Sequence, residues 1–164
     1  YYFSFMKILF LDIDGVLNSK QWHNSDNCKA FGTSVKRFFD PVCVEYLNRI
    51  VTETETRIII SSSWRIIRSL QNLQDLFKSI DFTGRILGKT EILSTFEPDT
   101  PNLRGVEIKN WITDNQKHFK TPIKYVILDD EDDFLKEQKK YFFQTNPDIG
   151  LDASTTKKII AFFK

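Results

Sequence analysis

The chain has 164 residues, of which 41% are hydrophobic and 27% charged, with a formal net charge of +1. That length suits one domain with a sizeable core, and the balance is that of an ordinary soluble globular protein. A net charge near zero excludes the polycationic signature of bulk nucleic-acid or membrane-surface binding, though not a local basic groove, and no apolar run reaches the ~18 residues of a bilayer span. Cys28 and Cys43 lack metal-ligand spacing and fit a reducing, cytoplasmic setting. The 15 Phe read as core filling. Met6 reads as a natural start, which leaves residues 1–5 as a cloning remnant or the end of an upstream segment and 6–164 as a single domain.

Residues 8–11 form an apolar run of four, which reads as a central strand of a parallel sheet, buried on both faces. It ends in Asp12, Ile13, Asp14 and Gly15. Alternation sends both carboxylates to one side, and the glycine permits a sharp turn close to a ligand. Residues 18–40 are polar and aromatic without a regular period, which predicts a flap over the strand edge, carrying Trp22 and a solvent-facing His23 and too short to be a capping domain. Asp40-Pro41 signals a helix start, followed by Cys43, Val44, Leu47, Ile50 and Val51 on one face. Residues 57–60 are a second buried strand and run into Ser61-Ser62-Ser63-Trp64-Arg65. Beyond them, Ile66, Ile67, Leu70, Leu73 and Phe77 predict the stripe of an amphipathic helix.

Residues 84–88 predict a third strand, and residues 95–102, with Pro98 and Pro101, a loop. Arg104-Gly105 opens a helix with Ile108, Trp111 and Ile112 inward. The next strand, at 125–128, ends in Asp129-Asp130-Glu131-Asp132-Asp133. Residues 141–144 make a last strand, and Asp152 or Ser154 caps a closing helix. Strands alternating with helices define an α/β fold: a central parallel sheet, right-handed crossovers and helices on both faces.

Three strand ends thus carry the residue types that a phosphate and a hard cation need: a pair of carboxylates, a run of hydroxyls and an acidic cluster. Such oxygen-rich sites suit Mg²⁺, which binds through one or two carboxylates, substrate phosphate and water, whereas no His-Cys grouping suggests zinc. Arg104 stands at a helix start, where a cation opposes the helix dipole unless an anion lies nearby; this points to a phosphate partner. Lys89 and Lys109 read as solvated, and Glu131 and Asp132 as a solvated helix start.

With these residues in order across residues 8–133, the chain resembles haloacid-dehalogenase (HAD) superfamily phosphatases. More narrowly, Leu-Asp-Ile-Asp-Gly-Val-Leu-Asn, Ser-Ser-Ser-Trp-Arg, Arg-Gly-Val-Glu-Ile and Ile-Leu-Asp-Asp-Glu-Asp-Asp resemble the HAD domain of Swiss Army Knife RNA-repair proteins. The resemblance implies a three-layer Rossmann-like fold with a minimal cap and a two-step phosphoryl transfer. Asp12 would be the nucleophile and Asp14 the general acid and base. Mg²⁺ would be held by Asp12, the Asp14 backbone carbonyl and Asp129, with Asp130 and Asp133 as direct or supporting ligands. Ser62, with Ser61 as competitor, and Arg104 would bind phosphate; Arg65 is either a further phosphate ligand or a surface charge. Val16 stands where protein-directed members carry Thr, and the small cap leaves the site open, as a nucleic-acid end would need. The expected substrate is a 3′ or 5′ phosphate on nucleic acid, or alternatively a nucleotide or small metabolite. A phosphoacceptor signalling module and a non-catalytic binding domain are the readings from other classes.

Overall fold

Along the first strand, alternate side chains leave the backbone on opposite sides, and each side meets its own layer of helices. The computed structural model describes residues 4–93 and 100–164. Five strands, β1 (Met6–Leu11), β2 (Arg57–Ile60), β3 (Ile86–Lys89), β4 (Ile123–Asp129) and β5 (Phe142–Gln144), form one sheet in the order β3-β2-β1-β4-β5. All four pairings are parallel. Leu9 and Leu11 of β1 join Ile58, Ile60, Val126 and Leu128 in a core with α3 (Pro41–Thr54), α4 (Leu70–Ser79) and α6 (Ala153–Phe163). Ile8, Phe10, Ile59 and Ile127 face the other way, onto Ile108 of α5 (Leu103–Asn115) and Phe134. Burial on both faces is why these strands read as unbroken apolar runs.

The connections β1-α3-β2 and β2-α4-β3 extend the sheet in one direction along one face. The chain then lays α5 on the opposite face and returns β4 to the free side of β1. Strand order therefore reverses between β1 and β4, and ligands of open α/β sheets bind in the crevice outside the carboxyl ends at such a point. The ladder runs past the strand ends there: Asp12 N–H donates to the Leu128 carbonyl, Ser61 N–H to Leu11, Thr90 N–H to Ile60 and Thr145 N–H to Asp129, each at 3.0 Å. With Asp129 closing β4, every strand delivers an oxygen-bearing side chain to this edge.

Capping follows the sequence closely. Asp40 accepts from Val42 N–H with Pro41 in the first turn, and Asp152, not Ser154, caps α6 by accepting from Thr155 N–H. Two segments differ from expectation. Residues 18–40 are not an irregular flap: they contain α1 (Lys20–Asn24), α2 (Asp26–Ala30) and a 3₁₀ turn at Val35–Phe38, each started by a serine cap, with Trp22 buried and its Nε1 donating to the Arg37 carbonyl. The helix expected to begin at Ile66 starts only at Leu70, capped by Ser69, so Ile66 and Ile67 lie outside it, 51% and 81% exposed. Most of the loop expected at 95–102, including Pro98, lies outside the described residues. Cys28 and Cys43 are both buried and free.

The start of α5 is clamped from below by the segment after the acidic cluster. Gly105 N–H donates to the Asp133 carbonyl at 3.0 Å, Gln138 Nε2 donates to the Gly105 carbonyl at 2.8 Å, and Gln138 Oε1 accepts from Leu135 N–H at 3.0 Å. A methyl group at position 105 would stand 2.5 Å from Gln138 Oε1 and 2.7 Å from Leu135 N. Overpacking of this kind costs ~1–3 kcal/mol and outweighs the ~1 kcal/mol that alanine gains over glycine in a helix. Gly105→Ala is therefore expected to lower the urea midpoint despite its better helix propensity, and an unchanged or raised midpoint would show that the clamp is loose.

Candidate active site

Asp12 leaves β1 with 7% of its surface exposed, and the chain then turns at Gly15, whose φ is +72°. Two requirements meet at Gly15. Its backbone lies in the left-handed region, and a Cβ there would sit 2.5 Å from Cγ and Oδ2 of Asp130. The turn is held by Thr145, whose hydroxyl donates to the Gly15 carbonyl at 2.8 Å, and by Asn18, whose Oδ1 accepts from Gly15 N–H at 2.9 Å. Asn18 is 2% exposed and its Nδ2 donates to both Asp14 Oδ1 and the Phe38 carbonyl, each at 3.0 Å. Trp64 Nε1 donates to Asp14 Oδ2 at 2.9 Å. The Asp14 carboxylate is thus exposed to the crevice and held at both oxygens.

Asp12, Asp129 and Asp130 each place a carboxylate oxygen within 4.8 Å of the others. Burial raises the Asp12 carboxyl above its ordinary range, against the opposing pull of Arg104 and the Ser62 hydroxyl. Asp129 is pushed up to about 7, by burial first and by the charge of Asp12 second, and Asp130 is raised by the same two causes. Like charges crowded out of water favour the protonated form unless a cation joins them. Arg104, from the first turn of α5, supplies one: its Nη1 lies 3.2 Å from Asp12 Oδ1 and 3.0 Å from Asp129 Oδ2. Burial alone would lower the Arg104 pKa, but Asp129 and Asp12 raise it. The anion demanded by this cation at a helix start is therefore already present as two carboxylates. One guanidinium does not neutralise three carboxylates, and a set of hard oxygen donors at this spacing fits Mg²⁺.

The serines divide. Ser62 faces the Asp12 carboxylate, whose pKa it lowers, and also caps the 3₁₀ turn Ser63–Arg65. The Ser61 hydroxyl is fully buried and has no partner among the described residues, as is also true of Thr90. Arg65 is neither a phosphate ligand nor a surface charge. It is 3% exposed, donates through Nη1 to the carbonyls of Ser61 (2.8 Å) and Ser62 (2.9 Å) and through Nη2 to that of Glu91 (3.0 Å), and pairs with buried Glu107 of α5. Lys89 is likewise engaged rather than solvated: its Nζ donates to the carbonyls of Arg65 at 3.0 Å and Arg68 at 2.9 Å.

In the acidic cluster, Asp129 is the most committed member, with Oδ2 on Arg104 and Oδ1 accepting from Glu131 N–H at 3.0 Å. No other side chain hydrogen-bonds the Asp130 carboxylate among the described residues. Asp133 stands outside the three-carboxylate group; its Oδ2 accepts from Arg104 N–H at 3.2 Å, so it serves the start of α5, whose N-cap Asn102 offers no side-chain bond. Glu131 and Asp132 do not open a helix, since the next turn begins at Lys136, and Asp132 pairs with Lys139. Lys109 pairs with Glu137 at the surface.

Sequence reasoning missed Asn18, Thr145 and the hydrogen bond of Trp64 to Asp14. The only local trace of the first is a polar residue closing the apolar pair Val16-Leu17; the other two arise from contacts across the fold that leave no local pattern. Comparison with curated proteins and with solved structures finds no match. A family model described as the HAD domain in Swiss Army Knife RNA repair proteins matches residues 8–156, the span that holds every side chain of this site. The chain belongs to that family of HAD domains.

Proposed function

We propose that the chain is a Mg²⁺-dependent phosphomonoester hydrolase working through an aspartyl phosphate on Asp12, with phosphorylated nucleic-acid ends as its substrates. One observation carries this reading: Asp12, Asp14, Ser62, Arg104 and the pair Asp129–Asp130 meet at the edge where strand order reverses. The family's RNA-repair description supports the choice of substrate.

In the first step a carboxylate oxygen of Asp12 attacks phosphorus, the bond from phosphorus to the ester oxygen breaks, and Asp14 gives that oxygen a proton. In the second, Asp14 takes a proton from water as the water attacks the same phosphorus; the Asp12–phosphorus bond breaks and phosphate leaves. Asn18 and Trp64 hold the carboxyl of Asp14 while it works as acid and then base. Ser62 and Arg104 face the transferred phosphoryl group, and Asp129 holds Arg104 in place. Asp12, Asp129, Asp130 and the Asp14 carbonyl would hold Mg²⁺, which supplies charge neutralisation at the phosphoryl oxygens; in such reactions positioning and electrostatics provide most of the rate. Asp129 and Asp130 thus both keep a part in the metal site, and Asp133 is left to the helix start.

Asp12→Asn is expected to lower phosphate release by ~10³-fold or more, read with a phosphate assay on a phosphorylated oligonucleotide. Chelation should abolish the activity of the unaltered chain and added Mg²⁺ restore it; full activity in excess chelator sinks the metal assignment. Trp64→Phe keeps the ring but removes the donor to Asp14. Its kcat should fall about tenfold on an alkyl phosphate, a modest share of what general acid catalysis supplies, and much less on p-nitrophenyl phosphate, whose leaving oxygen hardly needs a proton. Equal losses on both substrates would dissociate Trp64 from proton transfer.

A further inference from the structure

Of the seven large apolar side chains exposed among the described residues, three line one groove. Phe38 on the 3₁₀ turn after α2, 42% exposed, stands with Ile66 and Ile67 beside the crevice. A contiguous exposed patch of this kind marks a binding surface more often than an accident. Phe38, Trp64, Ile66, Ile67 and Arg68 line a groove there of about 380 Å³, at the small end of the range for small-molecule sites.

The groove begins where the chemistry ends. Trp64, one of its walls, is the residue that donates to Asp14 Oδ2, and Phe38, another, carries the carbonyl bonded to Asn18. On the proposed reading, which this inference needs, Asp14 protonates the leaving oxygen, so the leaving group must extend from Asp14 over Trp64 and Phe38. The walls say what that group is. The guanidinium of Arg68 lies 4.5 Å from the centre of the Trp64 ring and that of Arg37 lies 5.7 Å from the centre of Phe38. Among the described residues no carboxylate lines the groove. Aromatic and aliphatic surface rimmed by cations suits a flat ring attached to further phosphates, the combination by which proteins hold single-stranded nucleic acid. The groove is also fixed in advance: Phe38 and Phe39 pack edge-on against Trp64, and Lys89 ties the backbone at Arg65 and Arg68.

We infer that this groove is a leaving-group subsite that seats one unpaired terminal nucleobase, with Arg68 toward the adjoining phosphodiester. The test is kcat/KM in Mg²⁺ for short single strands phosphorylated at the 3′ or the 5′ end, for the same strands with an abasic terminal sugar, for a nucleoside monophosphate and for ribose 5-phosphate. Base-bearing ends should exceed abasic ends about tenfold, within the span that stacking on an aromatic side chain provides. Which end profits tells the 3′ from the 5′ source. Ile67→Ser should erase the preference and leave turnover of ribose 5-phosphate unchanged, while Arg68→Gln should weaken oligonucleotides more than the mononucleotide and flatten their salt dependence. Equal turnover of base-bearing and abasic ends overturns the subsite, as does faster turnover of a phosphoserine peptide. A solution dimer that Ile67→Ser dissolves assigns the patch to a second copy and overturns it too. Should ribose 5-phosphate and every other ester resist hydrolysis in Mg²⁺, the phosphatase reading falls first and takes the subsite with it; activity without base preference removes the subsite alone.

Discussion

The constraint on which the rest depends is the crowding of Asp12, Asp129 and Asp130 at the buried edge between β1 and β4. Two unit charges about 5 Å apart interact by roughly 3 kcal/mol at an effective dielectric of about 20, and three carboxylates make three such pairs. Arg104 offsets part of this repulsion by facing two of them. Protons or a further cation must offset what is left, so the fold holds in reserve a demand for positive charge at one point. Gly15 shows how much of the local structure serves that arrangement: its lack of a side chain makes room for the Asp130 carboxylate.

Around this cluster the two sides of the crevice differ in kind. On the side of Arg104 and Ser62 the surroundings are polar, interlocked and mostly buried. The side of Asp14 is apolar and open, with Trp64 as the boundary between them. An enzyme that must neutralise the same phosphoryl group in every substrate, yet distinguish what the phosphate is attached to, needs that asymmetry. Carboxylates and cations serve the first task, and shape and stacking serve the second.

Much of this was legible in the sequence, and the reason is topological. Parallel strands buried on both faces give apolar runs, and the residue after each run falls at one sheet edge, so Asp12, Ser61 and Ser62, and Asp129 could be placed together from strand ends alone. What could not be read depended on contacts between distant segments. Ile66 and Ile67 continue the apolar stripe of α4 in the sequence, but Ser69 starts the helix three residues later, and the carbonyls of Ser61, Ser62 and Glu91 hold the Arg65 side chain inside. Local periodicity loses to a buried guanidinium with that many acceptors. The misfit of Arg104 with its helix dipole is visible in the sequence, but not that the carboxylates of Asp12 and Asp129 already answer it. Asp133, one of five acidic neighbours, differs from Asp129 only in what lies across from it.

The buried pair of Arg65 and Glu107 lies beneath both halves of the crevice. Arg65 grips the turn that carries Ser62 and Trp64; Glu107 belongs to the helix that carries Arg104 and also accepts from Leu93 N–H at 2.9 Å. Removing either partner would strand a charge away from water. The linkage therefore ties the turn that carries Ser62 and Trp64 to the helix that carries Arg104, so that the spacing across the crevice is set before any ligand arrives.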